Sequence, residues 1–294
     1  MGQTATVDAA GTTSVGRERQ HNEDQFLIAD LARAIRIRAS TVYGGKPAWL
    51  PTKGQGTLLV VADGMGGLGG GDKASMIAVR TVARHLANVM PWGEETGADS
   101  ERSAETPEED DGGRKSIPQV RRRLESALHH GAEAIVAAAK GTKNPSMGTT
   151  LTAAFMRFPT LYVAHVGDSR GYLLRGDKLY QLTHDHTMAE RLRTEIGARI
   201  DPDSPWNHVL WNALGGGIEA ELAPEVQRLD LEIGDSILLC SDGLTKHVGD
   251  ESIARVLAES QDAQSACDTL VDAANAAGGT DNITVVIGRC RPAD

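Results

Sequence analysis

Apolar positions along the chain change period several times, and each change marks an element. Short β-like runs come first, "TATVDAAGTTSVG", "DQFLIAD" and "TLLVVAD". From Lys73 to Met90 the spacing turns helical, with Met76, Ile77, Val79, Val82, Ala83, Leu86 and Val89 on one broad face. The stretch from Pro91 to Pro118 is poor in apolar residues and rich in Glu, Gly and Ser. It cannot bury enough surface to offset its ordering entropy, so it reads as a mobile loop. A second helix is predicted over 119–140, and strands return with "GTTLTAAFMRF", "TLYVAHVGD" and "RGYLLRGDKLYQLT". A short helix, Thr187 to Ile196, opens an irregular stretch that reaches "NALGGG". Strands "EVQRLDL" and "DSILLCSDG", helices near Asp250–Ser260 and Ala263–Ala276, and a last strand "NITVVIGRC" complete the pattern. Strands and helices come in groups, not in strict alternation, which favours an α+β architecture with antiparallel sheets over a doubly wound parallel one.

The formal charge of −10 is uneven and narrows the possible partners. Between Glu94 and Asp111 nine acidic residues face one basic residue, Arg102, so this loop carries −8 of the total. The remainder is nearly neutral and shows no basic face, which argues against a nucleic-acid partner. The start has neither a basic n-region nor an apolar h-region, and its Met-Gly is only a weak match to a myristoylation signal. No run of about 18 apolar residues occurs, so no membrane insertion is expected. Cys240, Cys267 and Cys290 are widely spaced in apolar contexts and read as buried free thiols in a reducing, cytoplasmic setting.

Asp63 begins the chemistry. It stands between the run Val60-Val61-Ala62 and a literal GxGxxG, Gly64 to Gly69. A pyrophosphate cradle wants glycine directly at the strand end, with a helix N-terminus facing the anion. Asp63 would oppose that anion, and no second strand ending in an acidic residue follows about 20 residues on. A nicotinamide-dependent oxidoreductase therefore loses its main support. The same design recurs at Gly167-Asp168-Ser169, Ser241-Asp242-Gly243 and Thr280-Asp281-Asn282, with Glu23-Asp24 near the start. Each aspartate alone would be an ordinary turn residue. Several at the ends of buried strands would repel one another unless cations met them. Magnesium or manganese suits such an all-oxygen set, and the Gly64 carbonyl can approach as a further ligand. Two such ions sharing a carboxylate would generate a hydroxide nucleophile near neutral pH and clamp a phosphoryl group for in-line attack.

The set "RERQHNEDQ", "VVADGMGG", "MGTTLTAAF", "HVGDSRGYL", "LTHDHTMAERL", "NALGG", "LLCSDGLT" and "GGTDNITVVI" resembles the metal-dependent, type 2C serine/threonine protein phosphatases of the bacterial branch. The motifs run in family order from about residue 10 to 290. The resemblance implies one catalytic domain over 1–294, an antiparallel β-sandwich flanked by helix pairs with a two-metal centre at one end. Carried over by position, Asp63 bridges both ions and Asp242 and Asp281 complete one. The Gly64 carbonyl and Glu23 or Asp24, partly through water, serve the other. Arg19, five residues before Asp24, grips the substrate phosphate, and a guanidinium fork suits phosphate oxygens. Asp168 matches a residue that helps hold a weaker third ion, and Asn282 orients its neighbours.

Two departures qualify the match. Met65 stands where many eukaryotic members carry a histidine proposed as general acid, and methionine cannot donate a proton. Lys246 stands four residues after Asp242, where the eukaryotic pattern has an aspartate, which puts tight binding of a third ion in doubt. The segment from about His184 to Leu214 corresponds to a variable flap; His184, His186 and His208 within it read as exposed or packing residues. The resemblance implies an active phosphatase, working as a monomer on phosphorylated proteins that are targets of a serine/threonine kinase. The alternative is a pseudophosphatase that acts as a binding module, which would have lost metal carboxylates.

Overall fold

The computed structural model describes residues 5–31, 34–42, 48–51, 56–66, 69–89, 117–201, 203–218 and 220–293. Most of the acidic loop expected over 91–118 lies outside the described residues. Two antiparallel sheets dominate. In the seven-stranded sheet the order is Glu225–Asp230, Thr160–Val166, Leu151–Arg157, Gly56–Ala62, Gln25–Leu31, Ala34–Ser40 and Ala48–Pro51. The five-stranded sheet runs Ala5–Ser14, Ile283–Pro292, Ser236–Cys240, Arg170–Arg175 and Lys178–Gln181.

Residues adjacent in sequence but opposite in facing sort into different cores, which explains the nearly unbroken apolar runs. Leu59 and Val61 meet Ile237, Leu239 and Val286 between the sheets. Their neighbours Leu58, Val60 and Ala62 face the helices Gly70–Val89 and Ile117–Ala139, where Val79, Val82, Leu86, Leu124 and Leu128 are buried. On the far side Leu238, Cys240, Val285 and Ile287 pack on Ile253, Leu257, Leu270 and Val271 of the helices Asp250–Glu259 and Ala263–Ala276. The architecture is helix, sheet, sheet, helix, as the family resemblance implied.

The ends of the elements follow local chemistry. Asp262 and Ser265 form a reciprocal capping box that starts the Ala263–Ala276 helix. Thr187 accepts from the Glu190 N–H, and Gly197 closes the Met188–Ile196 helix at φ 65°. The strand Ala34–Ser40, whose Ile35-Arg36-Ile37-Arg38 alternates apolar and charged residues, and the short strand Ala48–Pro51 were not among the expected elements; they extend the sheet edge beyond Gln25–Leu31. All three cysteines are free and buried. Among the described residues no helix is long and apolar enough to cross a membrane.

Candidate metal centre

The strand ends converge on one cavity of about 820 Å³. Its lining includes Arg19, Glu23, Asp63, Gly64, Asp168, Asp242 and Asp281, which the sequence singled out, together with Asn282, Met65 and Lys246. Asp63 leaves the Gly56–Ala62 strand with its backbone fixed on both sides. Its N–H donates to the Thr150 hydroxyl at 3.0 Å, and its carbonyl accepts from the Thr150 N–H at 2.9 Å and the Thr149 hydroxyl at 2.7 Å. Gly64 comes so close to its neighbours that a Cβ there would lie 2.3 Å from the Gly71 carbonyl oxygen and 2.6 Å from that of Glu23. Only glycine brings this backbone to the cavity wall.

Asp242 opens the single-turn helix Asp242–Thr245, directly after the Ser236–Cys240 strand and Ser241. Asp281 precedes Ile283–Pro292 and accepts from the Asn282 N–H at 2.9 Å. The Asn282 side chain ties three segments: its Oδ1 accepts from the Glu23 N–H, and its Nδ2 donates to the carbonyls of Val15 and His21. A Cβ on Gly243 would sit 2.0 Å from the Asn282 carbonyl oxygen, so the loops bearing Asp242 and Asp281 meet through a glycine. Gly243→Ala is expected to cost about 2–3 kcal/mol by forcing these backbones apart. Gly249→Ala, with nothing within 4 Å of its Cβ, should cost under about 1 kcal/mol as a helix N-cap change. Equal effects in denaturant melts would remove this account of the junction.

Asp24 is not part of the cavity lining. It lies behind the wall, buried, with Oδ2 accepting from the hydroxyls of Ser241 and Thr284, both at 2.7 Å. Its Oδ1 and the Oδ1 of Asp242 are buried with no hydrogen-bond partner. Such orphaned carboxylate oxygens are costly unless a cation or proton meets them. An all-oxygen donor set with unmet lone pairs fits hard divalent ions.

The electrostatics lead to the same conclusion. Burial pushes the Asp24 carboxyl up to about 7, aided by the charges of Asp242 and Asp281 and opposed by its two hydroxyl donors. Burial likewise raises Asp168 to about 7, with Asp242 and Asp185 adding to it. Asp63 is pushed well above the usual carboxylate range by burial and then by Asp24, Asp242, Asp168 and Asp281. At Asp281 burial also works upward but is outweighed by Lys246, the Asn282 N–H and Arg19, so this carboxyl lies below its ordinary value. Arg19 binds Asp281 through Nε at 2.8 Å and Nη2 at 3.0 Å, at the exposed rim.

The flap is seated by backbone bonds, Met188 N–H to the Val209 carbonyl and Trp211 N–H to that of His186, which brings His208 and Leu210 to the cavity wall. His184 is exposed and pairs with Glu225 at 3.0 Å. His186 is buried beside His165. His165, His186 and Glu225 place potential ligand atoms within 4.8 Å of one another, away from the cavity. Their lone pairs are already used. His165 Nε2 donates to the His184 carbonyl and its Nδ1 accepts from Thr152, while His186 Nδ1 accepts from the Gly167 N–H. Burial, with the His186 charge behind it, pulls His165 down to about 3, so it stays neutral as a packing residue.

Sequence reasoning missed the Thr149-Thr150 pair that holds the Asp63 backbone and the Ser241–Thr284 pair beneath Asp24. Adjacent small hydroxyl residues before a strand were the only local trace. Lys246 was noticed as a departure, but its contacts were not foreseen.

A family model described as Protein phosphatase 2C matches residues 48–281. The Serine/threonine phosphatase stp of Listeria monocytogenes is 34% identical over 277 residues, covering 94% of this chain and 92% of that protein. The Serine/threonine protein phosphatase PstP of Mycobacterium tuberculosis is 35% identical over 235 residues, 78% of this chain and 40% of that protein. The catalytic domain of PstP, solved in complex with two manganese ions, superposes with a TM-score of 0.69 at 30% identity, covering 98% of this chain and 100% of that one.

Proposed function

The chain belongs to the protein phosphatase 2C family, and we propose that its cavity hydrolyses phosphoserine and phosphothreonine esters of proteins, with two divalent ions held by Asp63, the Gly64 carbonyl, Asp242, Asp281 and Glu23. The protein is a metal-dependent serine/threonine phosphatase. The observation that carries the residue assignment is the orphaned, buried carboxylate oxygen of Asp242 among repelling carboxylates that line one open cavity. Manganese or magnesium bound there supplies Lewis acidity toward water and phosphoryl oxygens. Asp63, repelled by four other carboxylates, would serve both ions, and Asp24 buttresses the wall behind it through Ser241 and Thr284.

Arg19 orients the phosphate. Asp281 holds its Nε and Nη2, which fixes the plane of the guanidinium and leaves Nη1 with no partner among the described residues. A planar fork held in this way matches phosphate oxygens with little further loss of freedom. Met65 walls the cavity together with Leu210 and Ile218 and has no proton to give. Two imidazoles line the cavity, and that of His247 is engaged with Thr280 at 2.9 Å. We read the whole chain, 1–294, as one catalytic unit acting as a cytoplasmic monomer on the products of serine/threonine kinases. The pairing of Ala5–Ser14 with Ile283–Pro292 supports the single unit.

Phosphate release from a phosphothreonine peptide tests the reading. Turnover with manganese should fall to background in excess chelator and return when manganese is restored. Turnover that survives chelation, or a folded protein that binds no manganese, would overturn it.

A further inference from the structure

We propose that Lys246 is a resident cation that takes the place of a third divalent ion and limits this centre to two, an inference that rests on the two-ion reading above. Lys246 follows the single-turn helix, one turn after Asp242, and its backbone N–H donates to the Asp242 carbonyl at 2.9 Å. From this anchored stem its Nζ reaches Asp242 Oδ2 at 2.7 Å and Asp281 Oδ2 at 2.9 Å. The side chain is only 29% exposed, so the ammonium is a fixed charge and not a solvated tail.

Lys246 also lines an adjoining pocket of about 320 Å³ together with Asp168 and Asp242. The two guanidiniums on that side are committed elsewhere, Arg170 to Asp185 at 2.6 Å and Arg193 to Glu190 at 3.1 Å. The cation that acts on Asp168 is therefore Lys246. An extra ion shared by Asp168 and Asp242 would have to bind against this ammonium, and like charges at such separations repel strongly in a partly desolvated site.

Charge balance supports the same count. Five carboxylates line the main cavity, Glu23, Asp63, Asp168, Asp242 and Asp281, against two fixed cations, Arg19 and Lys246. That leaves an excess of three negative charges. Two divalent ions turn it into a single positive charge, which suits a phosphate dianion. A third would leave three positive charges beside an ammonium. Replacing lysine by aspartate changes the balance by two units, the charge of one such ion.

Manganese stoichiometry, measured by equilibrium dialysis and calorimetry up to millimolar free ion, tests this independently of turnover. The wild-type chain should saturate at two ions and Lys246→Asp at three. Lys246→Gln, which keeps the stem without its charge, should bind the two ions roughly tenfold or more tightly. If Lys246→Asp fails to fold, the glutamine variant decides. Three ions in the wild type, or unchanged count and affinity in folded variants, would overturn the proposal. No manganese bound by any form would refute the two-ion reading itself.

Discussion

Asp63→Asn is expected to abolish turnover while making the metal-free protein more stable. The lost charge is the one assigned to both ions, so activity should fall by roughly a thousandfold or more, as several kcal/mol of charge stabilisation is lost. The same charge is disfavoured in the metal-free fold by burial and then by repulsion from Asp24, Asp242, Asp168 and Asp281. Asparagine keeps the shape and removes the repulsion. Its backbone bonds to Thr149 and Thr150 do not depend on the carboxylate. The metal-free melting temperature should therefore rise by about 2–6 °C, and the rise should grow with pH, since a carboxyl held above its ordinary value takes up a proton and sheds the repulsion as pH falls. Added manganese should stabilise the variant far less than the wild type. Lost activity with a lowered melting temperature would mean that the carboxylate is structural and not a ligand.

The stabilisation by manganese should itself grow with pH, and the sign follows from the carboxyls. Asp24 and Asp168, raised to about 7, bind protons more tightly in the folded chain than in the unfolded one. Their contribution to stability is fully present below the unfolded value near 4 and is lost as pH rises through 7. Asp63, also raised, behaves in the same sense. The buried imidazoles work the other way. His165, pulled down to about 3, and His186, lowered by burial, contribute stability above the unfolded value near 6.5 that is lost on acidification. They lie away from the cavity and act alike in metal-free and loaded protein, so they cancel in the difference between the two. The gap between loaded and metal-free melting temperatures should widen from pH 6 to pH 8 by about 5–10 °C. A gap that stays flat or narrows would show that these carboxyls are not electrostatically coupled to the ions.

Much of the fold was legible because the burial is periodic. The helices at Gly70–Val89 and Ala263–Ala276 repeat apolar residues every three or four positions, and Gly56–Ala62 is apolar on both faces because a helix layer and a second sheet cover it. The short edge strand Ala48–Pro51 was not legible, since an edge strand is held by backbone bonds to one neighbour and imposes little pattern on its side chains; Ala34–Ser40, paired on both sides, does carry an alternation, Ile35-Arg36-Ile37-Arg38, too short a signal to have been singled out. The aspartates were visible because the same strand-end design recurs. What each of them touches was not.

The sequence by itself determined the layered α+β class, the set of strand-end aspartates and the glycines beside them, because burial period and backbone freedom are written residue by residue. Only the tertiary structure decided that Glu23 lines the cavity while Asp24 lies behind it. Only it decided that His165 and His186 are satisfied by Thr152, His184 and Gly167, and that Lys246 spans Asp242 and Asp281. These are distances between segments far apart in the chain. Coulomb interactions and unmet hydrogen bonds depend on such distances alone, and no spacing along the sequence encodes them.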